Sequence, residues 1–218
     1  KFNNETCEFK KNNGNIIRAY DYFLSKYMRM QKKTRMVIKN NNNHQRLDIL
    51  ANYFSNSFFL LMFREPIFHA YSLLNQHKNF LSLQKKESFI LEYMNLIGHR
   101  EFGNGHVPFV YSNNVYDLNA LSNKLEINYW IKQWINTYKS ILDSKIYLNK
   151  NILLINYRSL CTNKDLFKSI CNKLKIKNNT IKPNFKLSKL LNEANHNVEP
   201  DILKEANNIY KELNNFSL

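Results

Sequence analysis

The chain contains little of what stabilises small secreted proteins or spans membranes. Its 218 residues include only three cysteines, four glycines and four prolines. Cys7, Cys161 and Cys171 form no CxxC motif and no even-numbered framework, so they argue against a disulfide scaffold and indicate reduced thiols in a cytoplasmic compartment. No apolar run approaches the roughly 20 residues of a membrane-spanning helix, and the N-terminal segment has no apolar signal core.

Arginine is also scarce, although the chain as a whole is basic. There are 32 Lys and Arg against 17 Asp and Glu, a net charge of +15, yet only 7 of the cations are Arg, and 36 residues are Asn. Lys and Asn share AAA/AAT-type codons, so an AT-rich gene explains this bias as well as function does. Residues 1–109 carry +8 and residues 110–218 carry +7. A charge spread so evenly favours anionic partners in general, whether nucleic acid, phosphorylated cofactor or acidic membrane.

Apolar content and periodicity predict an α/β domain. Hydrophobic residues make up 44% of the chain, which excludes disorder. Three short apolar runs predict buried strands, at Arg35 to Ile38, Ser57 to Phe63 and Asn151 to Tyr157. Helical spacing of apolar residues predicts helices at 16–30, 44–54, from Pro66 onward, 84–97, 125–142, 164–174 and 200–213. Short strands that alternate with helices indicate a mainly parallel sheet.

All three predicted strands end in polar or charged residues. These are Lys39, Arg64, and Tyr157 with Arg158. The carboxyl ends of parallel strands meet at one edge of a sheet, which is where open α/β sheets bind ligands. Two cations and an aromatic ring at that edge suggest a phosphorylated nucleotide. The alternative is that basic residues simply finish strands at a solvated rim, and the pattern does not choose between the two.

The segment FFLLMFREPIFHAYS, Phe58 to Ser72, resembles the 3′-phosphate-binding segment of PAPS-dependent sulfotransferases. In that family an apolar strand ends in Arg, an acidic residue and Pro follow, and a Ser lies eight residues after the Arg. Here these positions are Arg64, Glu65, Pro66 and Ser72. A guanidinium at a strand end offers a fork to a phosphate, and the start of a helix adds free N–H groups.

Flanking segments extend the resemblance from about residue 16 to the end of the chain. RMVIKNNNNHQRLDILANYF is similar to the family's preceding strand, which ends in Lys, and NILLINYRSLC to its strand ending in Tyr-Glu-Asp-Leu. The departures are Asn41 in place of a Pro, and Arg158 and Ser159 in place of the two acids. The family's first strand and its phosphosulfate loop are absent, which predicts a natural protein that extends N-terminally. Without that central strand the sheet would have two bare edges.

The resemblance implies a single domain over residues 1–218 with the three-layer P-loop-type fold and a mainly parallel sheet. It implies PAPS as co-substrate, no metal, no nucleic-acid partner, and transfer of a sulfuryl group to a hydroxyl or amine of a small-molecule or carbohydrate acceptor. Arg64 and Ser72 are expected to hold the 3′-phosphate, and Lys39 to stabilise charge near the phosphosulfate. Tyr157 is expected either to contact the adenine or simply to pack at the strand end. Basic residues of a late loop could close over the phosphate or be solvated: Lys182, Lys186 and Lys189.

The catalytic base remains open between two regions. Imidazole is the commonest general base, and His44 follows the Lys39 segment closely. The loop GHREFGNGHVPF, Gly98 to Phe109, supplies His99 and Glu101 as further candidates and a predicted acceptor pocket. A metal site of His99, Glu101 and His106 is disfavoured by their spacing.

The remaining histidines and the tryptophans have simpler interpretations. His69, His77 and His196 are expected on helix surfaces or in loops. Trp130 and Trp134, four residues apart, are expected to form a packed helix stripe.

Two other classes of function compete with the sulfotransferase interpretation. A nucleotide-dependent transferase of the kinase type would need a Walker loop and Mg²⁺ ligands. A basic, non-enzymatic nucleic-acid-binding module would rely on the dispersed charge and would bind less tightly as salt increases.

Overall fold

The computed structural model describes residues 14–121, 123–177, 183–187 and 198–218. Within these residues the chain is mixed α/β and mostly helical. The α-helices are α1 (Gly14–Met30), α2 (Leu47–Tyr53), α3 (Pro66–Lys86), α4 (Phe89–Leu96), α5 (Ile127–Asp143), α6 (Tyr157–Thr162), α7 (Lys164–Lys173) and α8 (Pro200–Asn215). The strands are β1 (Phe59–Phe63) and β2 (Ile152–Asn156), and 3₁₀ helices cover Asn41–Arg46 and Ile146–Leu148. No helix in the described ranges is both long and apolar enough to cross a membrane.

The two strands pair in parallel, as the sequence predicts. Their register runs from Phe59 opposite Ile152 to Phe63 opposite Asn156. β2 is buried along its whole length, and the N–H of Leu218 donates to the carbonyl of Leu154 at 3.0 Å on its far side. The outer edge of β1 has no neighbouring strand among the described residues. The sheet therefore has its carboxyl ends, at Phe63 and Asn156, side by side.

The predicted strand at Arg35 to Ile38 is wrong. This segment has no regular secondary structure and pairs with neither strand, and Val37 is 93% exposed. The Arg35 guanidinium instead donates to the carbonyls of Leu174, at 2.5 Å, and Lys175, at 3.0 Å, at the end of α7. A short apolar run becomes a strand only where another strand offers its N–H and C=O groups, and no such edge lies beside this one in the described fold.

The hydrophobic core is built around α5, which packs against α3 and α8. Trp130 and Trp134 are both buried in it, which confirms the packed stripe. Asn136, on the same helix, accepts hydrogen bonds from the N–H groups of Val115 and Tyr116 and donates to the Tyr116 carbonyl. This side chain ties the loop that precedes α5 to the core.

Two predicted helix boundaries differ from the structure. α3 begins at Pro66 as predicted but runs on to Lys86, so the start predicted at Gln84 falls inside it, and α4 is a separate short helix. The helix predicted from His44 begins as a 3₁₀ turn over Asn41–Arg46, and the Asn40 side chain caps this turn by accepting the N–H of Asn42 at 2.8 Å.

Candidate functional site

Arg64 and Tyr157 lie next to each other where the two strands end. Because Phe63 and Asn156 are opposite in the parallel register, the residues that follow them emerge at the same edge. The guanidinium carbon of Arg64 is 5.8 Å from the centroid of the Tyr157 ring and 5.9 Å from that of Phe68, on the first turn of α3. These distances fit cation–π contacts. A cation and two aromatic rings therefore share this edge.

Tyr157 also links this edge to the segment 183–187, which contains Lys186. Its hydroxyl donates to the backbone carbonyl of Lys186 at 3.0 Å, while the Lys186 side chain is exposed. Burial and a hydrogen bond with Cys161 raise the pKa of Tyr157, and the nearby Arg64 opposes that rise. The structure thus brings together Arg64, Tyr157 and the Lys186 backbone. Lys182 and Lys189 lie outside the described residues.

Glu65 and Arg158 form an ion pair beside this cluster. Nη1 of Arg158 lies 3.1 Å from Oε1 of Glu65. Asn156 positions the start of α6, because its Oδ1 accepts the N–H groups of Arg158 and Ser159. Its Nδ2 donates to the Tyr210 hydroxyl and to Oδ1 of Asn214, both on α8. Arg158 and Ser159 occupy the two positions at which the sulfotransferase family has acidic residues.

Two histidines are electrostatically linked to this group of residues. His69, on the first turn of α3, is half-buried, and its Nδ1 has no hydrogen-bond partner among the described residues. Burial and the charge of Arg64 lower the pKa of His69 to about 4. Burial, Arg46 and His69 likewise lower the pKa of His44 to about 4. His69 is therefore not the surface residue that the sequence predicts; its position five residues after Arg64 was the available signal.

The Tyr111 hydroxyl links His44 to α5. Its oxygen lies 2.9 Å from Nδ1 of His44 and 3.1 Å from Oγ1 of Thr137, and Thr137 Oγ1 donates to the Gln133 carbonyl at 2.9 Å. A proton on Nδ1 of His44 would leave the lone pair on Nε2, which is the arrangement of a general base.

His99 and Glu101 are paired elsewhere. Nδ1 of His99 is 3.2 Å from Oε2 of Glu101. Their loop is fastened to the middle of α3, where the N–H of Gly103 donates to Nδ1 of His77 at 3.1 Å. His77 lies about 16 Å along the helix axis from Pro66, so the structure does not bring His99 and Glu101 to the Arg64 edge. His77 is only 3% exposed, and its prediction as a surface residue is wrong.

His106 is buried against the first turns of α5. Its Nε2 is 2.7 Å from the Tyr129 hydroxyl, and its ring packs on Trp130. Among the residues with described positions, no three His, Cys, Asp or Glu side chains are grouped as metal ligands. Cys161 and Cys171 are not disulfide-bonded. Cys7 and His196 lie outside the described residues.

Ser72 lies on α3, whereas Lys39, which the sequence predicts at the end of a strand, follows a segment that forms none. Ser72 is half-buried, one helical turn after Phe68 and therefore on the same face of α3. Lys39 is exposed and directly precedes Asn40, the cap of the 3₁₀ helix that carries His44. Lys39 and His44 thus belong to one short segment.

Comparison of the chain with protein-family models, with curated proteins and with solved structures finds no match in any of the three. What the strand edge can bind follows from its own residues. A guanidinium beside aromatic rings can bind an anionic group and can stack a planar one.

Proposed function

We propose that this chain is a sulfotransferase of the three-layer P-loop type, which moves a sulfuryl group from PAPS to a hydroxyl or amine of a small-molecule or carbohydrate acceptor. The observation that carries the proposal is the contact between Arg64 and Tyr157 at the ends of adjacent parallel strands. These are the residues that the resemblance assigns to the 3′-phosphate and the adenine.

The surroundings of Arg64 suit a phosphate group. The first N–H groups of any helix have no intrahelical partner, and the Glu65 side chain does not cap those of α3. A phosphate beside Arg64 would receive both the guanidinium fork and these N–H groups. Ser72, on the face of Phe68, would add a hydroxyl, and the Tyr157 ring would offer its face to the adenine.

The proposed reaction needs a base and a cation. The acceptor oxygen or nitrogen attacks the sulfur of PAPS, the bond between that sulfur and the 5′-phosphate oxygen breaks, and the acceptor's proton passes to the base. The products are the sulfated acceptor and adenosine 3′,5′-bisphosphate. We assign the base to Nε2 of His44 and the stabilisation of charge on the leaving oxygen to Lys39. A bound anion would raise the pKa of His44 from about 4, because it favours the imidazolium.

The chain offers no counterpart for the other end of the nucleotide. No glycine-rich turn with Lys and Ser or Thr occurs in the sequence, and such a loop holds the 5′ side of PAPS in the family. The residues present fit the 3′-phosphate and the adenine. A test should therefore address the 3′-phosphate.

Titration calorimetry with adenosine 3′,5′-bisphosphate and with ADP provides that test. We expect tighter binding of the bisphosphate and a loss of at least about tenfold in Arg64→Ala, or about 1.4 kcal/mol of binding free energy. Arg29→Ala is the matched control, because Arg29 is an exposed arginine in the last turn of α1. Equal affinity for both nucleotides, or an unaffected Arg64→Ala variant, would contradict the proposal. Binding of nucleic acid that weakens steeply with salt would favour the non-enzymatic alternative.

A further inference from the structure

Arg64 and Glu65 are consecutive residues of opposite charge whose side chains take different directions. The Arg64 guanidinium faces the rings of Phe68 and Tyr157. The Glu65 carboxylate instead meets Arg158, with 3.1 Å between Oε1 and Nη1. The Glu65 carboxylate is therefore engaged by Arg158, while the guanidinium of Arg64 lies against the two rings.

A carboxylate this close to an anion-binding arginine must be kept from pairing with that arginine. The Glu65 side chain is only 15% exposed and forms no capping hydrogen bond with α3. A shielded carboxylate without a partner would turn toward the nearest cation, and Arg64 is its neighbour in the chain. Pairing between Glu65 and Arg64 would cancel the charge that attracts a phosphate.

Arg158 is held where it can prevent Glu65 from pairing with Arg64. Asn156 accepts the N–H of Arg158 at 2.8 Å and is itself bonded to Tyr210 and Asn214 of α8. The backbone at Arg158 is therefore fixed to α8, and its 55% exposed side chain reaches back to Glu65. The family strand that this segment resembles has an acid at this position, and an acid would repel Glu65 rather than hold it.

We propose that Arg158 is a positioning residue for the anion site: by pairing with Glu65 it engages the carboxylate and leaves the Arg64 guanidinium available to a phosphate group. This inference rests on the proposed binding of the 3′-phosphate at Arg64. Arg158 acts through Glu65 and does not itself contact the ligand.

A double-mutant cycle separates this role from direct binding. Arg158→Ala, Glu65→Gln and the double variant are titrated with adenosine 3′,5′-bisphosphate. We expect Arg158→Ala to weaken binding on the order of tenfold, and the double variant to recover to within about twofold of the original affinity, because no carboxylate is left to occupy Arg64. Arg158→Lys keeps the charge and should bind nearly as well as the original chain. Thermal unfolding of each variant verifies that it is folded.

Two results would overturn the inference while leaving the proposed function intact. If the double variant binds as weakly as Arg158→Ala, Arg158 contacts the anion directly. If Arg158→Ala binds like the original chain while Arg64→Ala does not, Glu65 needs no restraint. If the original chain does not bind the bisphosphate, or if Arg64→Ala binds as well as it does, the inference and the proposed function both fail.

Discussion

The backbone N–H of Gly103 donates a hydrogen bond to Nδ1 of His77, 3.1 Å away in the middle of α3. The next N–H, of Asn104, donates to Oε1 of Gln84 at 2.8 Å. The loop that begins at Gly98 is thereby fastened to α3 by two consecutive amides. The close approach of backbone to helix explains why this loop has glycines, and it places His99 and Glu101 at the far end of α3 from Arg64.

Gly103→Ala is expected to destabilise the fold by about 1–3 kcal/mol. Gly103 has φ +75°, and a Cβ atom there would collide with the side-chain amide of Gln84. The urea midpoint of unfolding measures the effect. Gly14→Ala is the control, because a Cβ there would lie 3.7 Å from the Arg18 guanidinium, an ordinary contact. Equal midpoints for the two variants would show that the loop is not held as described.

Stability is expected to fall as the pH drops from about 6.5 toward 4. Burial and Lys124 lower the pKa of His77 to about 4, and burial, Lys124 and His77 lower that of His106 to about 3. Histidines of the unfolded chain have a pKa of about 6.5 and bind protons first, so acid favours unfolding. Each fully buried histidine contributes at most about 1.4 kcal/mol per pH unit in this window.

Urea titrations at pH 7.5 and pH 5 measure this dependence. We expect a lower midpoint at pH 5, and a smaller difference between the two pH values in His106→Gln, which removes one buried imidazole and leaves a polar side chain opposite Tyr129. Protonation of His77 would also place a proton on the Nδ1 that accepts the Gly103 N–H. Midpoints that do not depend on pH would refute the assignment of neutral, buried imidazoles.

Lys39→Ala and His44→Gln are expected to lower turnover more than they lower affinity for the bisphosphate. Charge on the leaving oxygen and removal of the acceptor's proton matter during transfer, and neither matters for binding the product nucleotide. Loss of a general base costs about 100-fold in rate or more. Turnover of PAPS and calorimetry on the same variants measure both effects. The same pair of measurements on His99→Gln decides between the base candidates: a larger loss of turnover at His99 than at His44 would reverse our assignment.

Local pattern was sufficient for the elements that bury a continuous apolar run. β2 is buried along its whole length, as its continuous apolar run predicts, and Pro66 after Glu65 predicts the start of α3 because proline loses nothing at the first turn of a helix. The prediction that β1 is covered on both faces is wrong, because Leu60 is 45% and Met62 53% exposed. Arg35 to Ile38 has the same apolar character but no neighbouring strand, and a four-residue run cannot reveal whether a neighbour exists. His77 shows the same difficulty on a helix: residues that follow α3 in the chain bury it.

The sequence by itself determined the α/β character, the parallel strands and the polar residues at their ends, because strand burial and helix starts depend on neighbours a few residues away. Only the tertiary structure decided that Arg64 meets Tyr157, that Glu65 pairs with Arg158, and that the loop of His99 is fastened to α3 at His77. These relations join residues 26 to 93 positions apart. They follow from strand register and from the packing of α5 and α8, which no local pattern encodes.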